Sequence, residues 1–200
     1  MTPAREQSHR GPGRPLDPGA HQRILSAAQQ LLGERGPAGW SVAEAAALAG
    51  VGKATIYRHW PDKESLVLQA LEQMLLQEVP VPDTGSLRED LAAVYGAELA
   101  LATSREGAAL IRYLVHESTR DERFAALFRA SLQASRDAAD VMVDRAVSRG
   151  ELAPDVDRDL LWELLPGRLM LLLVTDQPVP APSEAAAIVA RVLEGFLPRG

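Results

Sequence analysis

Apolar residues recur at intervals of three and four along most of the chain, and this spacing predicts helices rather than strands. The first such run begins after Asp17 and Pro18, which suit a helix start, and it continues until Gly33 and Gly36. Its apolar face consists of Ile24, Leu25, Ala28, Leu31 and Leu32. The pattern therefore predicts a first helix that begins at about residue 18.

Two short helices and a longer one are predicted next. Ser41, followed three residues later by Glu44, forms a capping box at the start of a short helix that ends at Gly50. After the turn Gly50-Val51-Gly52, a second short helix runs from Lys53 to Trp60 and stops at a proline. Two short helices joined by a glycine-containing turn are the minimal description of a helix-turn-helix. A longer helix follows, capped by Asp62.

Residues 79–85 contain too many Pro and Gly residues to be helical and are predicted to form a hinge. Beyond them, helices are predicted at about 86–103, 105–117, 120–149, 157–175 and 182–197. We expect an all-α fold of about nine helices, with a three-helix helix-turn-helix domain followed by a larger helical bundle. The expected divisions are a disordered basic arm (1–16), the helix-turn-helix domain (17–79) and the helical bundle (80–200).

The composition favours an intracellular protein. The 200 residues include no cysteine, which excludes disulfides and thiolate sites and indicates a reducing compartment. The polar N-terminus lacks the apolar region of a secretory signal, and the longest apolar run, 169–174, is too short to span a bilayer. We expect a cytoplasmic protein with no membrane partner.

Charge is unevenly distributed along the chain, whose net charge is −6. Residues 1–60 carry seven Lys or Arg against four Asp or Glu, whereas the remainder carries fourteen against twenty-three. A basic first third joined to an acidic remainder suits a DNA-binding module attached to a domain that avoids DNA, although chance gives the same asymmetry.

The second short helix carries the residues that point to DNA. Its hydrogen-bonding side chains are crowded into less than two turns, as a helix that enters the major groove requires: Lys53, Thr55, Tyr57, Arg58 and His59. Small residues in the preceding helix allow close approach of the two helices, and Val51 and Ile56 supply an apolar contact.

The stretch SVAEAAALAGVGKATIYRHW (41–60), continued by PDKESL (61–66), resembles the TetR family of bacterial regulators. The similarity covers about residues 18–78, and residues 165–178 look like the dimer-forming stretch of one large subgroup. Two positions depart from the family pattern. Ala45 replaces a bulky aliphatic residue, so we expect Leu48 to fill that volume, and Gly52 replaces the Ser or Thr that caps the recognition helix.

The resemblance implies roles for individual residues. Lys53, Ala54 and Thr55 would face base edges, whereas Tyr57, His59 and Lys63 would contact phosphates. The full set of expected DNA contacts is Ser41, Val42, Gly52, Lys53, Ala54, Thr55, Tyr57, Arg58, His59, Lys63 and Arg14. The alternatives are that Tyr57 packs on the first helix and that His59 is a capping or solvated residue. We assign Trp60 to the core.

Arg14 belongs to a segment, Arg10 to Pro15, whose arginines lie on a Gly- and Pro-rich backbone. Such arginines can insert into a narrow minor groove beside the major-groove site. The alternative is a solvated, disordered tail.

The resemblance implies that residues 17–79 are a DNA-binding domain and residues 80–200 a regulatory domain for ligand binding and dimerisation. The regulatory domain would be a helical bundle around a ligand pocket, with the last two long helices pairing across a two-fold axis. Pocket candidates are Tyr95, Tyr113, His116, Phe124, Phe128, Met142 and Trp162, for each of which ordinary core packing is the alternative. As a group they suggest a mostly apolar effector. The dimer interface is expected to include Leu169, Leu172, Leu173, Ile188, Val189, Val192 and Phe196.

These expectations describe a homodimer that binds double-stranded DNA and responds to a small molecule. The resemblance implies a repressor released from a pseudo-palindromic operator, although the residues do not decide between repressor and activator. A ligand-independent architectural DNA-binding protein is one alternative, and a helical enzyme is another. The enzyme is disfavoured because the sequence has no phosphate-binding glycine loop, nucleophile elbow or metal-ligand cluster. We therefore expect no catalytic residue, cofactor or metal.

Overall fold

The computed structural model describes residues 18–76 and 81–196, which contain helices and no strand. The α-helices are α1 (Pro18–Arg35), α2 (Val42–Ala49), α3 (Lys53–His59), α4 (Lys63–Leu75), α5 (Leu87–Thr103), α6 (Arg105–Ser118), α7 (Glu122–Ser148), α8 (Arg158–Val174) and α9 (Ala185–Leu193). A short 3₁₀ turn, Pro182–Glu184, precedes α9. The expected all-α architecture is confirmed. The N-terminal arm with Arg14, and the Asp17 cap, lie outside the described residues.

The helix-turn-helix is delimited by the local signals that the sequence contains. The Ser41 side chain accepts a hydrogen bond from the Glu44 N–H, and the Glu44 carboxylate accepts one from the Ser41 N–H at 2.8 Å, so the capping box is present. Gly50 ends α2 in the left-handed conformation, at φ 67°. Gly52 begins α3 without a side-chain cap. Asp62 accepts a hydrogen bond from the Ser65 N–H and thereby caps α4.

Helices α1, α2, α3 and α4 enclose one apolar core, in which Ala45 is completely buried. Leu48, however, is 50% exposed, so the expectation that it fills the volume beside Ala45 is wrong. The buried face of α2 consists of Val42, Ala45, Ala46 and Ala49, and this helix packs directly on α1. The small side chain at Ala45 thus accompanies direct packing of α2 against α1.

The core of α1–α4 also includes side chains from later in the chain. They come from α6 and from the first turns of α7: Leu110, Leu114, Phe124 and Leu127. Arg123 in α7 adds a hydrogen bond to the Ser65 hydroxyl in α4, at 3.2 Å. The predicted domain boundary near residue 79 remains a prediction, because residues 77–80 are outside the described part. Residues from both sides of this boundary nevertheless pack together in one core.

The remaining helices form a second core around α5, which contacts α6, α7, α8 and α9. The segment that leads into α5 is fastened to α7: the Arg145 guanidinium donates a hydrogen bond to the Pro82 carbonyl at 2.8 Å and lies near the Asp83 carboxylate. Glu151 accepts a hydrogen bond from the Leu87 N–H at the start of α5. Within the described residues, no helix is both long and apolar enough to cross a membrane.

Candidate nucleic-acid interface and regulatory core

Helix α3 presents most of its surface to solvent. Ile56 is its buried residue and packs into the N-terminal core, while Tyr57 is 50% exposed. The other exposed residues around Ile56 are Lys53, Ala54, Arg58 and His59, and Thr55 is partly buried. Tyr57 is therefore not enclosed in the core, and half of its side chain is available to a partner. This helix offers donors and cationic groups to a partner rather than to the core.

Trp60 fixes the end of α3 against two other helices. Its side chain is buried, as expected, and its indole Nε1–H donates a hydrogen bond to the Gln69 side chain of α4 at 2.7 Å. The ring stacks on His21 of α1, with 4.9 Å between ring centroids. Because α3 has a single buried residue of its own, this anchor sets how the exposed face is held.

The expected contacts at the start of α2 divide into two kinds. Ser41 is exposed, and its side chain is engaged in the capping box with Glu44. Val42 is buried in the N-terminal core, so its side chain is not available to DNA, and a contact there would have to use its backbone. Val42 is apolar and directly follows a cap, which is why sequence position alone did not separate these roles.

Glu44 introduces a negative charge at the same helix start. Hydrogen bonds from the Ser41 hydroxyl and N–H, together with one from Arg35, hold the pKa of its carboxyl below the usual value. The Arg35 guanidinium lies 2.7 Å from the carboxylate, so the charge is partly compensated on the protein side. A phosphate near Ser41 would meet this pair rather than an isolated carboxylate.

Lys63 has a structural role that the sequence did not reveal. Its ammonium donates hydrogen bonds to the Pro37 and Trp40 carbonyls, at 2.7 and 2.6 Å, and lies over the Trp40 ring. Partial burial lowers the pKa of this amine. An ammonium has three donors, so one is left for the phosphate contact that the resemblance implies. Lys63 thus fastens the α1–α2 loop to α4.

The pocket candidates do not surround one cavity. Phe124 is buried in the N-terminal core, where Tyr113 meets it edge to face and Phe128 packs nearby. Tyr95 and Met142 belong instead to the second core, around α5. Trp162 is partly buried below the Arg136 guanidinium, and His116 is exposed. Residue type alone picks out these side chains and does not assign them to separate cores.

Open clefts occur in the described part of the chain, and two of them border α4 and α5, respectively. One, of about 260 Å³, lies between α4 and α7 and is lined by Leu68, Glu72, Leu76, Arg123, Ala126, Leu127 and Ala130. The other, of about 170 Å³, lies where α5 meets Leu152 and Leu193. None of the seven pocket candidates lines either cleft.

The expected dimer residues turn largely inward. Leu169, Leu173 and Val189 are buried in the chain's own core. Ile188, Val192 and Phe196 pack against that core but are only partly buried, so their place in a dimer interface stays a prediction. Leu172 is partly buried. The apolar residues that α8 exposes are different ones: Leu160, Leu164, Leu171 and Val174. Since α8 is apolar on both sides, helical periodicity could have identified two faces, but not which one is inward.

Glu98 is a residue that the sequence reasoning did not single out. It lies on the inward side of α5, one turn after Tyr95, and burial raises the pKa of its carboxyl to about 7. The signal was available, because this carboxylate interrupts an otherwise apolar stripe formed by Leu91, Val94, Tyr95, Leu99 and Ala102. The described residues hold no cluster of three or more His, Asp or Glu side chains suited to a metal ion.

Two family models match the chain. Residues 24–70 match the bacterial regulatory proteins of the tetR family, and residues 81–192 match the tetracyclin repressor-like C-terminal domain. The first match contains the helix-turn-helix, and the second contains the helices packed around α5. Together they assign both halves of the chain to one kind of protein, a transcriptional regulator rather than an enzyme.

Individual proteins agree with this assignment. The HTH-type transcriptional regulator YdeS of Bacillus subtilis is 36% identical over 170 residues, which are 84% of this chain and 85% of that protein. The DNA-binding transcriptional repressor TetR of Mycobacteroides abscessus is 33% identical over 160 residues, 78% of this chain and 83% of that protein.

Solved structures show the same fold. The TetR family transcription regulator SCO0332 has a TM-score of 0.68 at 30% identity and covers 90% of this chain and 99% of its own. A regulator from Saccharomonospora viridis in complex with choline has a TM-score of 0.69 at 19% identity, covering 92% and 100%. FadR from Bacillus subtilis in complex with stearoyl-CoA has a TM-score of 0.65 at 19% identity, covering 88% and 99%. The chain therefore belongs to the TetR family of DNA-binding transcriptional regulators.

Proposed function

We propose that this regulator is a cytoplasmic homodimeric repressor that leaves a pseudo-palindromic operator when a small effector binds the helices around α5. The observation that carries the proposal is the shared core, in which Leu110 and Leu114 of α6 and Phe124 and Leu127 of α7 pack among α1–α4. Close-packed interfaces move as units, so a shift of α6 or α7 must displace or strain the helix-turn-helix.

The proposed DNA surface is the exposed face of α3. Lys53, Thr55 and Ala54 read base edges at the start of the helix, and Tyr57, Arg58 and His59 contact the backbone. Ser41, Gly52 and the third donor of Lys63 add phosphate contacts at its border. The exposure of this face and its firm attachment through Trp60 support the assignment.

The proposed dimer surface is the outward face of α8, with Leu160, Leu164, Leu171 and Val174 at its centre. Leu171 and Val174 are 62% and 61% exposed, and the four residues lie on one side of the helix. Exposed aliphatic residues grouped in this way favour a protein partner. On α9, small residues outside the core allow a second chain to approach closely: Ala186, Ala187 and Ala190.

The effector is proposed to be small and mostly apolar, since the core around α5 consists mainly of aliphatic side chains. The choline and stearoyl-CoA complexes of two structural neighbours support ligand binding by this fold, and those ligands belong to those proteins. No particular effector is inferred from those ligands.

Release from DNA by small molecules tests the proposal. The DNA is a labelled fragment from upstream of the gene that encodes this protein. Its fluorescence anisotropy would be followed while hydrophobic compounds of different charge are added to its complex with the full-length protein. We expect specific binding and its reversal by at least one compound class. A complex that no compound disturbs would favour the ligand-independent architectural alternative.

A further inference from the structure

Helix α3 has little packing of its own. It is seven residues long, Ile56 is its buried residue, and Gly52 begins it without a side-chain cap. A helix this short is marginal in isolation, so its orientation depends on the contacts that its ends make with other helices. The face that is proposed to read DNA is therefore oriented only as well as those ends are fixed.

The C-terminal end of α3 is fixed by Trp60, and Gln69 on α4 gives this contact its direction. The Trp60 side chain is 3% exposed, and its indole N–H donates a hydrogen bond to the Gln69 Oε1 at 2.7 Å. An indole nitrogen can only donate, so the acceptor is the amide oxygen and the orientation of the Gln69 amide is determined. Stacking on His21 holds the plane of the indole ring, while the directional hydrogen bond fixes the ring within that plane.

Helix α4 is a well-packed support for this contact. The Arg123 guanidinium of α7 donates a hydrogen bond to the Ser65 hydroxyl. Gln29 of α1 donates hydrogen bonds to the Ala70 carbonyl and to the Gln73 side chain, at 3.4 and 3.2 Å. The residues of α4 that are buried in the N-terminal core are Leu66, Val67, Ala70 and Leu71. Gln69 thus joins a firmly held helix to the end of a weakly held one.

We propose that Gln69 is a positioning residue for DNA recognition, which acts through Trp60 and sets the angle at which α3 presents its first turn to the bases. Contacts to base edges require side chains held within about 0.5 Å of their productive positions. Long side chains that contact phosphates tolerate a small rotation of the helix, and those contacts carry no sequence information. Loss of the link should therefore weaken specific binding more than non-specific binding. This inference rests on the proposed DNA surface of α3.

The alternative role for the hydrogen bond is to satisfy a buried donor. In that case its loss lowers the free energy of unfolding, but the protein that remains folded reads DNA as before. The ratio of specific to non-specific DNA affinity separates the two roles, because stability alone does not change this ratio in folded protein.

Gln69→Met removes the acceptor and keeps an unbranched side chain of similar length. Fluorescence anisotropy of the full-length protein measures its affinity for a DNA fragment from upstream of its own gene and for a scrambled fragment of the same composition. Both are measured at one salt concentration and at a temperature at which thermal unfolding shows the variant to be folded. The ratio of the two affinities is expected to fall about tenfold, roughly the discrimination that one base contact provides. The salt dependence should stay unchanged, because no phosphate contact is removed.

Two further substitutions on α4 serve as controls. Gln69→Glu keeps an acceptor for the Trp60 N–H and is expected to preserve the ratio. Gln73→Met removes another partly buried amide of α4, one that binds α1 instead of Trp60, and is also expected to preserve it.

Trp60→Phe approaches the same link from the other side, because it keeps an aromatic ring and removes the N–H. It is expected to repeat the loss, and combining it with Gln69→Met should add little, since both changes break one interaction. Trp60→Phe also provides the test if Gln69→Met does not fold.

An unchanged ratio in folded Gln69→Met or in folded Trp60→Phe overturns the proposal. An equal loss in Gln73→Met, or a loss that Gln69→Glu does not prevent, overturns it as well. Lys53→Ala distinguishes this failure from that of the DNA surface. A ratio that falls in Lys53→Ala but not in Gln69→Met contradicts the positioning role alone, whereas a ratio unchanged in Lys53→Ala contradicts the proposed DNA surface itself.

Discussion

Lys53 stands at the start of the recognition helix with its side chain in solvent, and Ile56 on the opposite side holds the helix in place. A side chain in this position is free to enter the major groove without disturbing the fold. The separation of these two neighbouring roles makes it possible to test DNA contact and stability independently at single residues.

Replacing Lys53 with Ala should weaken specific DNA binding without changing stability. A direct contact between a basic side chain and a base is worth about 1–3 kcal/mol, so we expect a loss of roughly 5- to 150-fold at fixed salt. Anisotropy with operator DNA measures the affinity, and thermal unfolding measures the stability. Arg88→Ala, an exposed charge change on α5, serves as the matched control.

Glu98 should make stability dependent on pH. Its folded-state pKa of about 7 lies above the usual 4.5, so the native state binds the proton more tightly than the unfolded state does. The stabilisation from protonation is complete below about pH 4.5 and is lost as the pH rises through 7. Urea unfolding measures this effect. Between pH 5 and pH 8, the free energy of unfolding of Glu98→Gln should rise by up to about 3 kcal/mol relative to that of the wild type, because one pKa unit is worth about 1.4 kcal/mol. A difference that stays constant over this range would contradict the buried, uncompensated carboxyl.

Gly50 and Gly52, on either side of the helix-turn-helix turn, should respond in opposite ways to Ser. Gly52 has an ordinary negative φ and open space around its Cβ position, so Gly52→Ser adds a cap to α3 and is expected to stabilise by a few tenths to about 1 kcal/mol. Gly50 has φ +67°, so Gly50→Ser should destabilise by about 1–2 kcal/mol. Chemical denaturation of the two variants measures both changes in the free energy of unfolding. Changes of the same sign and size would argue against this turn geometry.

At the scale of the elements, the sequence predicted helix positions well because its start and stop signals are local. The capping box at Ser41, the cap at Asp62 and the glycine at residue 50 each act within one turn, and the structure has them as expected. It is harder to predict which side of a long apolar helix packs against the core. The sequence places Leu169 and Leu173 in the dimer interface, yet they are buried within the chain. Helix α8 is apolar on both sides, and which side faces inward depends on residues that are distant in the sequence.

The exposed side of α8 supplies the test of the proposed dimer. Leu171→Glu places a charge at the centre of the proposed interface and should shift the protein toward monomer, because a buried unpaired charge is strongly unfavourable. Multi-angle light scattering after gel filtration measures the mass. Leu101→Glu, which alters another exposed leucine on α5, should leave the mass unchanged. A mutant at Leu171 that keeps the dimer mass would place the interface elsewhere.

At the scale of the whole molecule, two modules defined along the chain share a core. Composition and the proline-rich segment predicted the division, and the resemblance around residues 41–66 indicated the family. The packing of Leu110, Leu114, Phe124 and Leu127 among α1–α4 could not be predicted, because it joins residues about forty or more positions apart without any local signal. Such long-range packing is also what would let the regulatory helices act on the DNA-binding helices.

DNase I footprinting tests most directly whether the exposed face of α3 reads DNA. The full-length protein would be bound to the DNA upstream of its own gene. We expect protection of two half-sites that are related by a two-fold axis and spaced by about one DNA turn or more. Protection should be lost in a folded Lys53→Ala, Arg58→Ala double variant. The absence of a specific footprint, or a footprint unchanged in that variant, would contradict a regulator that reads DNA through the exposed face of α3.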